Sequence, residues 1–474
     1  WQEWSVCREI RIAKVMDHIK ERKYHMKSRF PAYFVFALAF SPAIMAFGTE
    51  AESGVRASGR QDWEKAAWKC LMTRFYLPDT SLLYDYRTGE GRDGLIGCLP
   101  TPAEIKSEKP CPTGWTSGME DSVLNAGPMA IAGIIKWELK RDGATAEDVR
   151  RLLSGLILCG DISGIPGFVA RSVSPVDGKS FFPNSSRDQY TLFVYAMWRF
   201  CRSELSKTVL SDLRPKCVRL LTDVASYAER VVNAGNKWSF LRTDGAPAVV
   251  SQMWTSRPGR ADDPFADYHM FAGIGVHEAL RLPMFYAAAY DITGDAHWHE
   301  MKLKYVDDGI RMANGAWAKS GESFAVFQAQ MSHRLLYETE KDPVRRKALA
   351  ALLDKYAGYA EHALKKCTDH GNFIKGNLYV YGTDWRELPT RPMWEKKGCT
   401  VPVRHENFVR AFKYLREASE GMLNAQLSGK IPPRECEDKF NQVFGELDYG
   451  RVTTAAGVAH AILAYWIREK GYGR

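Results

Sequence analysis

Four short polar clusters in this chain carry residue types that can do acid–base chemistry together. They are Gly118-Met119-Glu120-Asp121, Ser185-Ser186-Arg187-Asp188-Gln189-Tyr190, His277-Glu278-Ala279-Leu280-Arg281 and Arg404-His405-Glu406-Asn407, and each precedes an apolar run of helical length. A pair of carboxylates can divide the work of proton donor and of base or nucleophile, provided that both face one space and their surroundings push their pKa values apart. Asp188 is the first candidate for one role, with Glu120 and Asp121 as its natural partners. His277 and His405 add imidazoles that can bind a hydroxyl or carboxylate, or act as acid and base.

The elements that position these clusters follow from apolar spacing at the helical period. It predicts helices near 62–77, 119–141, 145–158, 187–205, 207–233, 277–293, 295–313, 322–339, 342–367, 403–427, 433–446 and 450–470. Twelve helices make six hairpins, and the clusters fall at the starts of alternate helices. Alternate helices of a hairpin array run the same way, so the four clusters would meet at one mouth. Connections into the even helices are long and those out of them short, which places one functional face at that end.

The long connections mix aromatics with charges. Residues 78–118 contain Tyr84, Asp85, Arg92 and Trp115; 160–186 contain Arg171 and Asp177; 235–275 contain Trp238, Arg242, Trp254, Asp267 and His269. Sugar rings stack their C–H faces on aromatic rings while hydroxyls and carboxylates bond to polar groups, so such a rim suits a glycan. Trp115, Trp254, His269, His277, His405, Arg187 and Tyr190 are the candidate substrate binders. Gln330, with Gln328 and His333 inside the eighth helix, is a candidate for lining the space between helices. A purely structural reading competes with the catalytic one. Ser117-x-x-Glu120 and Ser186-x-x-Gln189 match capping boxes, as does Thr145-x-x-Asp148, and acids in a first helical turn gain about 0.3 to 1 kcal/mol from the macrodipole.

Composition bounds the class. A chain of 474 residues with 45% hydrophobic and 26% charged residues can bury a large core. The net charge of +9 is dispersed and forms no basic stripe, so nucleic acid is not an expected partner. No Cys-x-x-Cys or His-x-x-x-His spacing for zinc occurs, and neither metal nor cofactor is expected. Met26-Lys27-Ser28-Arg29, the apolar run from Phe30 and the small Ala46 read as a signal peptide over 26–47, preceded by an upstream extension at 1–25. A periplasmic or secreted protein follows, with no membrane association beyond export. Cys98 with Cys111, and Cys367 with Cys399, bracket Pro-containing loops and are the expected disulfides.

On the hairpin count over 60–470, on Gly118-Met119-Glu120-Asp121-Ser122-Val123-Leu124-Asn125 and on Ser186-Arg187-Asp188-Gln189-Tyr190, the chain resembles the six-hairpin, (α/α)6-toroid glycosidase superfamily. These segments look like those of uncharacterised secreted bacterial members. The resemblance implies an all-α toroid over 60–474 and a glycoside hydrolase acting on an oligosaccharide or polysaccharide, including one that contains uronic acid. The same superfamily keeps three alternatives open: a polysaccharide lyase, a sugar epimerase and a non-catalytic glycan-binding protein.

Overall fold

The computed structural model describes residues 63–255, 274–315, 323–358, 370–393 and 396–471. The expected extension at 1–25, the signal peptide at 26–47, His269 and Cys367 lie outside the described residues. The described chain is mostly helical, with three small antiparallel hairpins, so the fold class is all-α.

Helix α1 is Trp63–Cys70, continued by a π-helical turn at Leu71–Phe75. The other long helices are α2 Ser122–Lys140, α3 Gly143–Asp161, α4 Arg187–Arg202, α5 Arg214–Val231, α6 Arg281–Thr293, α7 Ala296–Ala313, α8 Ser323–Thr339, α9 Pro343–Ala357, α10 Glu406–Leu427, α11 Arg434–Gly445 and α12 Val458–Lys470. Strands β1 Tyr76–Leu77 and β2 Leu82–Leu83, β3 Ser239–Leu241 and β4 Pro247–Gln252, and β5 Thr390–Pro392 and β6 Thr400–Pro402 pair as hairpins within the long connections.

The two sets of helices differ in which residues they bury. In α5 the buried residues Cys217, Leu220, Leu221, Val224, Ala225, Ala228 and Val231 form one stripe at three- and four-residue spacing, which is the mark of a helix covered on one side. In α2 burial runs almost unbroken from Asn125 to Ile135. A helix of that kind needs neighbours on every side. The packing supplies them: α2, α4, α6, α8, α10 and α12 each pack on the next, and α12 packs back on α2. Helices α3, α5, α7, α9 and α11 each pack on the helix before them, and α1 packs on α12. The α2–α3 contact is close because Gly133 has no side chain; a Cβ there would come within 2.4 Å of Val149.

One predicted boundary moves. Residues 450–457 form a turn before α12, held where Thr453 Oγ1 donates to Leu378 O at 2.6 Å. It ends on Gly457 at φ +84°, where a Cβ would press on the Arg416 backbone at 2.9 Å. Helix α9 ends at Ala357, and the rest of the predicted 342–367 helix, from 359 on, lies outside the described residues. No helix among the described residues is long and apolar enough to cross a membrane.

The expected bond between Cys98 and Cys111 is not formed. The Cys98 thiol donates to Leu95 O at 3.7 Å within its own turn, while Cys111 pairs with Thr113 Oγ1 at 3.2 Å and packs with Met393 and Val401. Each thiol is thus used locally, by a different part of the loop. Alkylation under denaturing conditions without reductant, followed by peptide mapping, should label both; a linked Cys98–Cys111 peptide would contradict this arrangement.

Candidate active site at the start of α2 and α4

The loop into α2 turns sharply at Thr116 (φ +68°) and Gly118 (φ +87°). Glu120 stitches that turn: its carboxylate accepts from Thr116 N at 3.0 Å and Gly118 N at 2.7 Å, and it is buried. Both of its oxygens are committed to the backbone, so the structure places Glu120 as a loop brace rather than beside an open space. The Arg404 guanidinium donates to Thr116 O and lies 3.9 Å from the centre of the Tyr86 ring. Asp85 secures the same turn from below, accepting from Asp121 N at 2.9 Å and Asn125 Nδ2 at 2.6 Å.

Asp121 follows at the N-cap position of α2, yet its side chain caps nothing. It receives Arg171 Nη2 and Gln189 Nε2, each at 3.3 Å. Gln189, wholly buried, also donates to Glu120 O at 3.0 Å and so fixes α4 against the start of α2. The capping box expected at Ser186-x-x-Gln189 is therefore absent, and Ser186 makes no side-chain cap bond. The third capping match fails too: Asp142 caps α3, and Asp148 accepts from Trp68 Nε1.

On α4, Asp188 accepts from Arg281 Nη1 at 3.0 Å. Its neighbour Arg187 turns the other way, pairing with Glu278 at 2.6 Å and donating to Gln252 O. His277 stands 3.5 Å from the same Glu278, whose second oxygen accepts from Gly275 N at 2.8 Å. The starts of α2, α4 and α6 are thereby joined into one network of carboxylates and guanidiniums. Helix α10 joins it from its middle: Arg416, paired loosely with Glu420 at 3.6 Å, exerts its charge on both Asp121 and Asp188.

Exposure separates the carboxylates. Side chains of Asp121 and Asp188 keep 29% and 32% of their surface open, whereas Arg171, Arg187, Arg281 and Glu278 are buried around them. Electrostatics separates the two aspartates from each other. Burial raises the pKa of Asp121, with the Asp188 charge adding to it, and the cations Arg171 and Arg416 only partly offset that rise. Burial acts on Asp188 in the same sense, but Arg281 and Arg187 outweigh it and leave its pKa below the usual carboxylate value. The surroundings thus push the two aspartates in opposite directions. Two carboxylates pushed apart by their surroundings are the arrangement from which acid and base roles are assigned.

Several sequence candidates lie elsewhere. Tyr190 is core: it is wholly buried, its ring packs tilted against Phe240 at 4.1 Å and its hydroxyl accepts from Val169 N. Gln330 ties α8 to its neighbours, donating to Leu353 O and Asn424 O at 2.9 Å each, and is closed to solvent. His405 is exposed at the N-cap of α10. Trp254 is buried edge-on against Tyr305, and Trp115 packs half-buried beside Cys111. Of the residues singled out by sequence, the structure brings together Asp121, Asp188, Arg187 and His277. With them lie Asp85, Arg171, Gln189, Glu278, Arg281 and Arg404 from the same clusters and connections, and the structure adds Tyr86 and Arg416. Among the described residues no group of three or more metal-ligating side chains could hold a metal ion.

The Arg187–Glu278 pair is buried on both sides, so removing one partner strands a charge, at a cost of about 3–5 kcal/mol. Arg187→Met should therefore lower the denaturation midpoint far more than the double variant Arg187→Met/Glu278→Met, and equal losses would contradict a strong pair. Burial opposes the charge on Glu278, but Arg187 and His277 prevail and hold it ionised far below the ordinary range. Its stabilising contribution is present above the unfolded value of about 4.3 and fades as pH falls below it.

The chain matches no protein-family model, and no curated protein shows significant similarity to it.

Proposed function

We propose that this chain is a glycoside hydrolase built as an (α/α)6 toroid, with Asp121 as proton donor and Asp188 as its ionised partner. One observation carries the reading: two half-buried aspartates on adjacent helix starts, one with its pKa raised and one with it lowered. The return of α12 onto α2 supports the toroid, because six helices then pack each on the next in a closed order, with α8 also touching α4.

Glycoside hydrolysis proceeds through an oxocarbenium-like transition state that needs a proton on the departing oxygen and electron density at the anomeric carbon. Asp121 gives its proton to the glycosidic oxygen. The Asp188 carboxylate either takes a proton from the attacking water or bonds to the anomeric carbon itself. Arg171, Arg281 and Arg416 surround the pair and favour a substrate that carries carboxylates, a glycan of plant, algal or host origin containing uronic acid. Export to the periplasm or beyond, through the 26–47 segment, fits a polymer substrate.

A lyase is the second reading, favoured by Tyr86. Its hydroxyl bonds to no described residue, and it lies within the field of Arg404, Arg416 and Glu120. A β-elimination needs a base for the C5 proton and a cation for the uronate carboxylate. Burial, reinforced by Glu120, pushes the Tyr86 phenol well above its ordinary value, which makes it a poor base at rest. The hydrolase reading therefore stands first. Incubation with a panel of uronic polysaccharides, following both new reducing ends and ultraviolet absorbance, separates the three outcomes. Hydrolysis gives reducing ends alone, elimination gives both signals through its C4–C5 double bond, and affinity with neither signal would overturn the enzymatic reading.

A further inference from the structure

Among the arginines gathered at the site, one has donors left over. Arg171 and Arg281 each donate to a carboxylate, Asp121 at 3.3 Å and Asp188 at 3.0 Å, and Arg187 pairs with Glu278 at 2.6 Å. Arg404 reaches Thr116 O, and its Nε and Nη1 are closed off from solvent. Arg416 differs from all four. It heads a row of Arg416, Glu420 and Asn424 at four-residue spacing along one face of α10. Glu420 and Asn424 are buried, whereas 21% of the Arg416 side chain stays open.

The surroundings of Arg416 leave its terminal nitrogens free. The Phe324 ring of α8 covers the guanidinium from 5.3 Å, and Glu420 stands 3.6 Å from Nε, beyond hydrogen-bond length. Nε is fully buried, while Nη1 and Nη2 donate to no described residue. The Arg416 charge acts on Asp121, Asp188 and the Tyr86 phenol at once, which sets it beside both proposed reacting groups. The Tyr86 hydroxyl also bonds to no described residue and, with its pKa pushed well up by burial, keeps a proton to donate.

A guanidinium drawn partly out of water with no acceptor on it is unfavourable, and its planar fork matches a carboxylate through two parallel bonds. Neither aspartate is free to fill that place, because Arg171 and Gln189 hold Asp121 and Arg281 holds Asp188. We infer that Arg416 is the residue that selects the substrate, taking the C6 carboxylate of a uronic acid sugar on Nη1 and Nη2 while Phe324 backs the guanidinium. The inference rests on the glycan reading of the site and assigns its acid preference to one side chain. Arg171 and Arg281, already spent on the aspartates, position the reacting groups.

Sugar pairs that differ only at C6 test this without any cleavage. Glucuronate against glucose, galacturonate against galactose and mannuronate against mannose are titrated into the whole chain by calorimetry. The wild type is expected to favour the acid of at least one pair by about tenfold to a hundredfold, the worth of a hydrogen-bonded contact to a charged group. Arg416→Gln should lose that preference and Arg416→Lys should keep part of it, since the charge survives there and the fork does not. No acid preference in the wild type, or an undiminished one in Arg416→Gln, overturns the inference. Equal weakening of acid and neutral sugar would mark a structural role and overturn it too. Should neither variant fold, a wild-type crystal soaked with the preferred acid locates the group: a carboxylate on Arg416 Nη1 and Nη2 is expected, and one held by other cations overturns the assignment. An acid preference that depends on Arg416 while no glycan is cleaved would count against the hydrolase reading alone. Cleavage of uronic glycans at full rate and unchanged KM in Arg416→Gln would count against this inference alone.

Discussion

Asp188→Asn is expected to fold and to lose about 10² to 10⁴ in turnover, the usual worth of general acid or base assistance. Asparagine keeps an oxygen for Arg281 Nη1, so the 3.0 Å bond can survive while the charge does not. Loss of that charge leaves Arg281 and Arg187 less well compensated, and a lowered thermal midpoint will accompany the loss of rate. A helix-cap explanation does not apply, because Asp188 sits inside α4 and Ser186 holds the N-cap position. Thermal midpoint and turnover on the best glycan from the panel, measured side by side with Glu120→Gln, distinguish the roles. Glu120→Gln should lose stability through its loop bonds and keep more of its rate. Full turnover in Asp188→Asn with a lowered midpoint would leave Asp188 as only the counter-ion of Arg281.

The aspartates were legible because their helices were. Long apolar periods located α1 to α12, though not the eight-residue helix Gly371–Leu378, and their parity placed Asp121, Asp188, Arg187 and His277 at ends that meet. Side-chain direction was less legible. Tyr190 lies two residues beyond Asp188, and at 3.6 residues per turn that carries it to the far side of α4, into Phe240. Glu120 precedes the first helical residue by two positions, and a backbone turn through Thr116 and Gly118 captured it.

Arg416 was hidden for a different reason. It lies ten residues into α10, about 15 Å along the axis from Glu406, whereas the sequence clusters mark only helix starts. His405 is exposed although its neighbour Arg404 is buried. A polar row at four-residue spacing inside a mostly buried helix was the signal for Arg416, Glu420 and Asn424. The cysteines show the limit of spacing as an argument: Cys98 and Cys111 bracket a loop, but loop length does not say which way two thiols point.

The opposed pKa shifts of Asp121 and Asp188 give the second large effect, and it appears in the pH dependence of kcat/KM. Asp188 must be ionised, so activity falls as pH drops through its depressed pKa. Asp121 must be protonated, so activity falls again as pH rises through its elevated one. The wild type should therefore show a bell whose alkaline limb belongs to Asp121. Asp121→Asn should be slower by about 10² to 10⁴ on a natural glycan and should recover much of that loss on an aryl glycoside, whose phenolate leaves without a proton. The most direct measurement is the pH–rate profile of Asp121→Asn beside the wild type: the acidic limb is expected to remain and the alkaline limb to vanish. An alkaline limb that persists unchanged in Asp121→Asn would contradict the assignment of the proton donor and, with it, the hydrolytic mechanism proposed for this pair.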